Sequence, residues 1–325
     1  MRLIGLVFAL TLSLLVAPVA AGAQQMAKMP RIGVLAAGTA DEAPNISFFE
    51  RMREIGYVEG QNVVFERRFA AGRIEVLPSL AAQLIATKPD VIFAPVTPAA
   101  LAARNATKSI PIVFAVSADP IGAGLVASLR QPGGNVTGVT NLNAELAAKR
   151  MQLLKEAVPK VSRVAVLMNP DNVPDQEQLS ALSHVAAKLR VSVVPIVIRR
   201  AEDYTRGFTN VNAQRVDAIM TIPSPLNLQF HTSIVEFALR SGLPTMDADD
   251  RGPRAGALMS YGASWEHNFR QAAQLVDRIL KGASPRDLPV EQPTRFQLVI
   301  NLKTAKALSL GIPQSLLVRA DEIIQ

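Results

Sequence analysis

An α/β fold of two doubly wound parallel-sheet lobes joined by a hinge is what this 325-residue sequence predicts, from three observations. From residue 31 onward, short β-branched runs alternate with longer stretches whose apolar residues recur at helical spacing, the pattern of βαβ units around parallel strands. That alternation runs through twice, as two consecutive β-α-β-α-β-α-β units of similar spacing. About 300 residues remain once an N-terminal leader is set aside, too many for one ordinary domain and enough for two that each bury a core.

The leader comes first. Arg2 supplies a positive start, an apolar run covers residues 3–16, and Ala21-Gly22-Ala23 forms a small-residue cleavage site, so residues 1–23 read as a cleaved secretory signal. As a membrane anchor the run falls short of the roughly 20 residues a bilayer crossing needs, and Pro18 interrupts it.

The first strand is residues 31–36, and the helix after it 47–55, with Phe48, Phe49, Met52 and Ile55 at helical spacing and Gly56 as its stop. A strand at 62–65, a helix at 76–87 and a strand at 90–94 follow. The next helix, 98–107, is opened by Thr97 as N-cap with Pro98 at the first helical position. Strands at 111–116 and, after the turn Pro132-Gly133-Gly134-Asn135, at 136–140 complete the first run.

The second run reads as helix 146–157, strand 163–168, helix 176–189, strand 192–197, helix 201–212, strand 217–221, helix 226–240 and strands at 244–246 and 257–260. The join falls near 141–143. A second crossing is expected near Tyr261-Gly262, because the helix 265–280 has no strand partner left in the second lobe. One lobe is therefore 30–141 with about 263–285, and the other 142–262. The segment 286–325, with a strand at 296–301 and a helix at 304–308, packs at the hinge and can cap either lobe.

Composition narrows the function. Without cysteine there are no disulfides, thiolate metal sites or thiol nucleophiles, and no N-terminal lipidated cysteine, so the exported product is expected to be soluble, free and monomeric. The net charge of +7 is scattered. The basic doublets Arg67-Arg68 and Arg199-Arg200 each end a candidate strand, and aromatics for base stacking make up only 5% of the chain, so nucleic acid is not the expected partner.

In an open parallel sheet the ligand crevice lies outside the carboxyl ends of the strands. The residues just past those ends are polar or turn-forming: Gly38 and Thr39, Thr97 and Pro98, Ser117 and Asp119, Asn141, Asn169, Ser224, Asp247 and Tyr261. Thr97 offers a hydroxyl and free backbone N–H groups to a carboxylate, or simply caps its helix. Asp119 can face a ligand ammonium, or open the turn before Pro120. Tyr261, at a strand end, can stack on a ligand or pack, and Trp265 reads as packing.

Enzyme signatures are missing. His184, His231 and His267 fall inside expected helices without metal-pair spacing, and read as surface or packing residues. No G-x-S-x-G, phosphate-loop or G-x-G-x-x-G pattern occurs, so no cofactor, metal or catalytic residue is expected.

Longer blocks carry a resemblance: GYVEGQNV at 56–63, TPAALAA at 97–103, ADPIGAGLVASLRQPGGNVTGVTNL at 118–142, RMQLLKEAVPKVSRVAVLMNP at 150–170, ALMSYG at 257–262 and PVEQPTRFQLVINLKTAKALSLGIPQSLLVRADEII at 289–324. The chain resembles the ABC transporter substrate-binding proteins of the tryptophan-receptor-like group, with the type I periplasmic-binding-protein fold. That resemblance implies a periplasmic receptor with three hinge crossings, closing over a small solute and handing it to an ABC permease in the inner membrane. It also implies hydroxyl and helix-end donors for a carboxylate, an acidic group for an ammonium, and apolar walls. Thr97 and Asp119 sit within matching motifs, and Asn169 and Tyr261 match in position. Where tryptophan-type members are acidic this chain has Ser224, and where many relatives are aromatic it carries Asp247, Asp249 and Asp250. An aromatic amino acid is thereby disfavoured and a cationic or polar solute favoured. Two other readings stay open: a sensor feeding a membrane kinase or chemoreceptor, and an exported enzyme.

Overall fold

The computed structural model describes residues 29–41, 43–141 and 143–325, so the leader lies outside the described residues. Two sheets organise them. The first takes in β1 (Arg31–Ala36), β2 (Val64–Phe69), β3 (Val91–Phe93), β4 (Ile112–Ser117) and β5 (Val136–Thr140), all parallel, in the order β2-β1-β3-β4-β5. Its helices are α1 (Ala43–Glu54), α2 (Leu77–Ala86) and α3 (Thr97–Ala106).

The second sheet holds β6 (Arg163–Met168), β7 (Ser192–Val197), β8 (Ala218–Thr221), β9 (Thr245–Asp247), β10 (Met259–Ala263), β11 (Phe296–Asn301) and β12 (Glu322–Ile324). Read from its β7 edge, its first five strands run β7-β6-β8-β9-β10, the same doubly wound order as the first sheet. Beyond them the C-terminal segment extends the sheet: β11 lies antiparallel to β10, with Tyr261 opposite Leu298, and β12 pairs parallel to β11. The helices on this side are α4 (Asn143–Ala157), α5 (Val173–Leu189), α6 (Asp203–Ala213), α7 (Pro225–Gln229), α8 (His231–Arg240) and α9 (Arg251–Ala255).

Strand alternation builds a core on each face of each sheet. In β1, β3 and β4, Ile32, Val34, Val91, Phe93, Val113 and Ala115 share one cluster, while Leu35, Ile92, Ile112 and Phe114 share the opposite one. In the second sheet Val164 and Val166 face one cluster, and Ala165 and Leu167 the other. The helix α10 (Trp265–Leu280), although it follows β10, lays Phe269, Ala272, Leu275 and Val276 on the first sheet beside Phe48 and Phe93, whose rings stack at 3.8 Å. The last helices are α11 (Leu302–Ala307) and α12 (Gln314–Leu317), on the second lobe's core.

The chain thus passes between the sheets three times, and the passages touch one another. Past β5, the Asn141 N–H donates to the Ser117 carbonyl at 3.2 Å. Past β10, the Ser264 N–H donates to the Arg295 carbonyl at 3.0 Å. Before β11, Glu291 bridges Val139, accepting from the Thr140 N–H at 2.9 Å and donating to the Gly138 carbonyl at 2.8 Å.

Several expected boundaries move. The second strand is Val64–Phe69, so Arg67-Arg68 lie within it, and Arg67 pairs with Glu59 at 2.6 Å while covering the Phe49 ring. The expected helix 226–240 is two helices broken at Phe230. The helix expected from residue 176 starts at Val173, because Pro174 is tolerated in a first turn where its missing N–H has no partner to lose.

Candidate functional site

The carboxyl ends of the strands in both sheets face one cleft of about 560 Å³. From the first lobe it is lined by Thr97, Ala118, Asp119, Gly122 and Ala123. The second lobe contributes Asn169, Asp171, Asn172 and Pro174 past β6, and Pro223, Ser224 and Leu226 past β8.

Thr97 is the first residue of α3 rather than its cap, a correction of the sequence reading. The cap position is Val96, which is extended and offers no side-chain bond, and the Thr97 hydroxyl instead bonds the Ser117 hydroxyl at 3.0 Å. Pro98 is the second helical residue, so the first N–H groups of α3 stay without intrahelical partners at the cleft. Ser117 is buried behind Thr97, and its carbonyl accepts from the Thr140 hydroxyl at 2.9 Å. Asp119 opens the turn, one carboxylate oxygen accepting the Gly122 N–H at 2.7 Å, and the residue also lines the cleft. Gly122 lets the Asp119 carboxylate sit in this position, because a Cβ there would push that carboxylate aside.

The opposite wall rests on a buried polar scaffold. Asp175, fully buried in the first turn of α5, accepts the Asn169 backbone N–H at 2.8 Å on one oxygen and the Asn172 side-chain amide at 2.8 Å on the other. Burial pushes its carboxyl up to about 6, against the pull of those two bonds. Beside it, Asn227 of α7 donates to the carbonyls of Leu167 (3.0 Å) and Ile222 (2.7 Å) and accepts from the Tyr204 hydroxyl at 2.8 Å. One side chain thereby ties together the ends of β6 and β8 and the helix α6. Ser224 caps α7, its hydroxyl accepting from the Asn227 N–H at 3.3 Å. Asp171 turns outward to Arg199 at 2.9 Å.

The remaining candidates stand apart from this lining. Gly38 and Thr39 sit in the loop after β1, where the Gly38 carbonyl accepts from Ala71 and the Thr39 carbonyl from Asn45. Asn141 is buried at the first passage. Tyr261 lies in the middle of β10 rather than at a strand end; its ring stacks with Phe296, and its carbonyl accepts from buried Arg150 at 2.7 Å. Asp247 is buried, with one oxygen taking the Thr221 hydroxyl at 2.6 Å and the other the His231 ring at 2.6 Å. Burial depresses the His231 pKa, but the Asp247 carboxylate outweighs it and the net shift is upward. Asp249 pairs with Arg251, whose guanidinium lies 4.1 Å from the Trp265 ring centre, and Asp250 pairs with Arg254.

The acidic wall read from residues 247–250 is therefore corrected: these carboxylates are matched by cations of their own lobe and make no argument for a cationic solute. His231 is corrected likewise, from a bland helical residue to the partner of a buried carboxylate. Among the described residues, no cluster of three metal-ligating side chains occurs and no helix is long and apolar enough to cross a membrane. What the cleft offers is two hydroxyls at helix starts, Thr97 and Ser224, the carboxylates of Asp119 and Asp171, and the amides of Asn169 and Asn172, with no aromatic residue in its lining.

The comparisons with known proteins agree with this geometry. The family described as ABC transporter substrate binding protein matches residues 38–324. A tyrosine-binding protein of Clostridioides difficile (strain R20291) is 29% identical over 263 residues, covering 81% of this chain and 75% of that protein. Of solved structures, a conserved domain protein of Vibrio cholerae superposes with a TM-score of 0.81 at 30% identity, over 91% of this chain and 100% of that one. The ABC domain of Streptococcus pneumonia in complex with L-Trp does so with 0.81 at 28% identity, over 91% and 99%.

Proposed function

This chain belongs to the ABC transporter substrate binding protein family, and from that premise we propose that it captures an amino acid or related small carboxylate in its interlobe cleft. The observation that carries the reading is the facing of Thr97 and Asp119 on one lobe with Asn169, Asn172 and Ser224 on the other across one small cavity. A carboxylate meets the Thr97 hydroxyl and the open N–H groups of α3, where the helix dipole favours an anion. An ammonium meets the Asp119 oxygen that the turn does not use. The relatives named for tyrosine and L-Trp support an amino-acid ligand.

In this reading residues 30–141 with about 263–285 form one lobe and 142–262 the other. The leader directs the chain to the periplasm, where as a free monomer it delivers the solute to an inner-membrane permease. A thermal-shift screen over L-amino acids and small carboxylates tests it, since a ligand that binds only the folded chain raises the melting temperature. One or a few amino acids should do so, and Asp119→Ala should abolish the shift. A screen in which no amino acid or carboxylate moves the melting temperature would sink the reading.

A further inference from the structure

Asp175 takes no part in lining the cleft, yet both of its oxygens hold residues that do. One accepts the Asn169 backbone N–H and the other the Asn172 side-chain amide, each at 2.8 Å, and its own side chain is fully buried. An ionised carboxylate accepts only, so the edge of the Asn172 amide turned towards it has to be the NH₂, and the amide oxygen is the atom turned away from it.

We propose that Asp175 is a positioning residue of the binding site: in its ionised form it fixes the 169–172 loop and holds Asn172 with its Oδ1 presented to an N–H or O–H donor of the solute. The inference rests on the cleft being the solute site.

Protonation reverses the arrangement. A protonated Asp175 keeps one accepting oxygen, which the Asn169 N–H occupies, and its new O–H needs an acceptor. Asn172 supplies one by turning its amide over, and the cleft then meets an NH₂ where it had an oxygen. A solute donor is repelled, so the carboxyl that orients the wall also couples capture to pH.

The groups packed around Asp175 leave it as the titrating centre. Tyr204 of α6 stays neutral, its phenol pushed up by burial and by the Asp175 charge. Asp203, at the start of that helix, is turned to the Arg199 and Arg200 N–H groups and to Arg206. From α4, Arg150 reaches Gln178 and the Tyr261 carbonyl. In the loop itself Asp171 faces Arg199. Among the described residues, burial and the Asn169 and Asn172 bonds set the Asp175 carboxyl, with no charged side chain beside them.

The first arm of the test uses the ligand-free chain. Proton–nitrogen NMR between pH 8 and pH 4.5 should show the Asn169 backbone amide and the Asn172 side-chain NH₂ moving with one shared midpoint near 6, and neither moving in Asp175→Asn. Signals that do not titrate in the wild type, or that titrate unchanged in the variant, overturn the proposal.

The second arm measures binding of L-tyrosine and L-tryptophan by calorimetry. Wild-type affinity should fall about tenfold or more from pH 8 to pH 5. Asp175→Asn keeps the Asn169 bond but forces the Asn172 amide over, so it should bind as weakly at pH 8 as the wild type does at pH 5, with a flat profile. Titration of His231 against Asp247 is common to both proteins and drops out of the comparison. A variant that binds like the wild type at both pH values overturns the positioning role. If neither amino acid binds the wild type, the proposed solute class fails, while the NMR arm still decides the role of Asp175.

Discussion

Thr97→Val keeps the shape of the first residue of α3 and removes a hydroxyl that the cleft holds at a helix start, where it bonds Ser117. Affinity for a carboxylate-bearing solute should weaken by about 1 to 3 kcal/mol in calorimetry, the cost of an unmade hydrogen bond to a charged group. Stability should fall by about 1 kcal/mol at most, the loss of the bond to buried Ser117, since the hydroxyl does not cap the helix. Asp175 behaves in the opposite sense. Its folded pKa is raised, so its contribution to stability is fully present below the ordinary aspartate value and is lost as pH climbs through about 6. At pH 8 the buried carboxylate is a burden on the folded state. Asp175→Asn should therefore be more stable than the wild type there by about 1 to 3 kcal/mol, with the gap closing towards pH 4, as read by urea unfolding at the two pH values. A residue whose neutral replacement stabilises the chain while weakening binding marks function held against stability.

An ion pair, His231 to Asp247, ties α8 to β9 at the cleft end of the second sheet. Because the His231 pKa is raised, the pair stabilises fully below the ordinary histidine value of about 6.5 and fades as pH rises through the folded value. His231→Ala should cost about 1.5 to 3 kcal/mol at pH 6 and clearly less at pH 9, measured by denaturant unfolding. Such a contact joins residues 16 positions apart across a strand and a helix, and no local pattern announces it. The same division runs through the whole reading. The strands Arg31–Ala36, Val136–Thr140, Arg163–Met168 and Phe296–Asn301 stand where their apolar runs place them, since a buried strand is specified by its own side chains, and the edge strand Ser192–Val197 stands where its β-branched residues place it. The post-strand loops carry the cleft as expected, and Thr97, Asp119, Asn169 and Ser224 line it. Asn172 and Asp175 escaped notice because Pro174 opens α5 three residues early, which moves a buried carboxylate into what reads as loop. Asp247 looked available because its partner lay in a different element.

Two lobes linked by three short passages leave one soft degree of freedom, the angle between the sheets, since each sheet is packed on both faces. A solute bridging both walls should close that angle, and small-angle scattering should show a smaller radius of gyration with a saturating amino acid than without. The same ligand at a hundred times its Kd should stabilise the chain by about 2.7 kcal/mol. The order of the elements along the chain carries a further consequence, for how the protein comes to be folded at all. α10 is the helix that covers one face of the first sheet, and β11, which supplies Leu298 and Ile300 to the second core, begins only at residue 296. A chain emerging N-terminus first can finish neither lobe until its last stretch arrives, so both apolar faces wait for residues that come late. Deleting everything after residue 261 should give a product that binds a hydrophobic dye and lacks a cooperative melt, whereas a first lobe able to fold without α10 would keep one. Completion of both cores is thus deferred until most of the chain has been made.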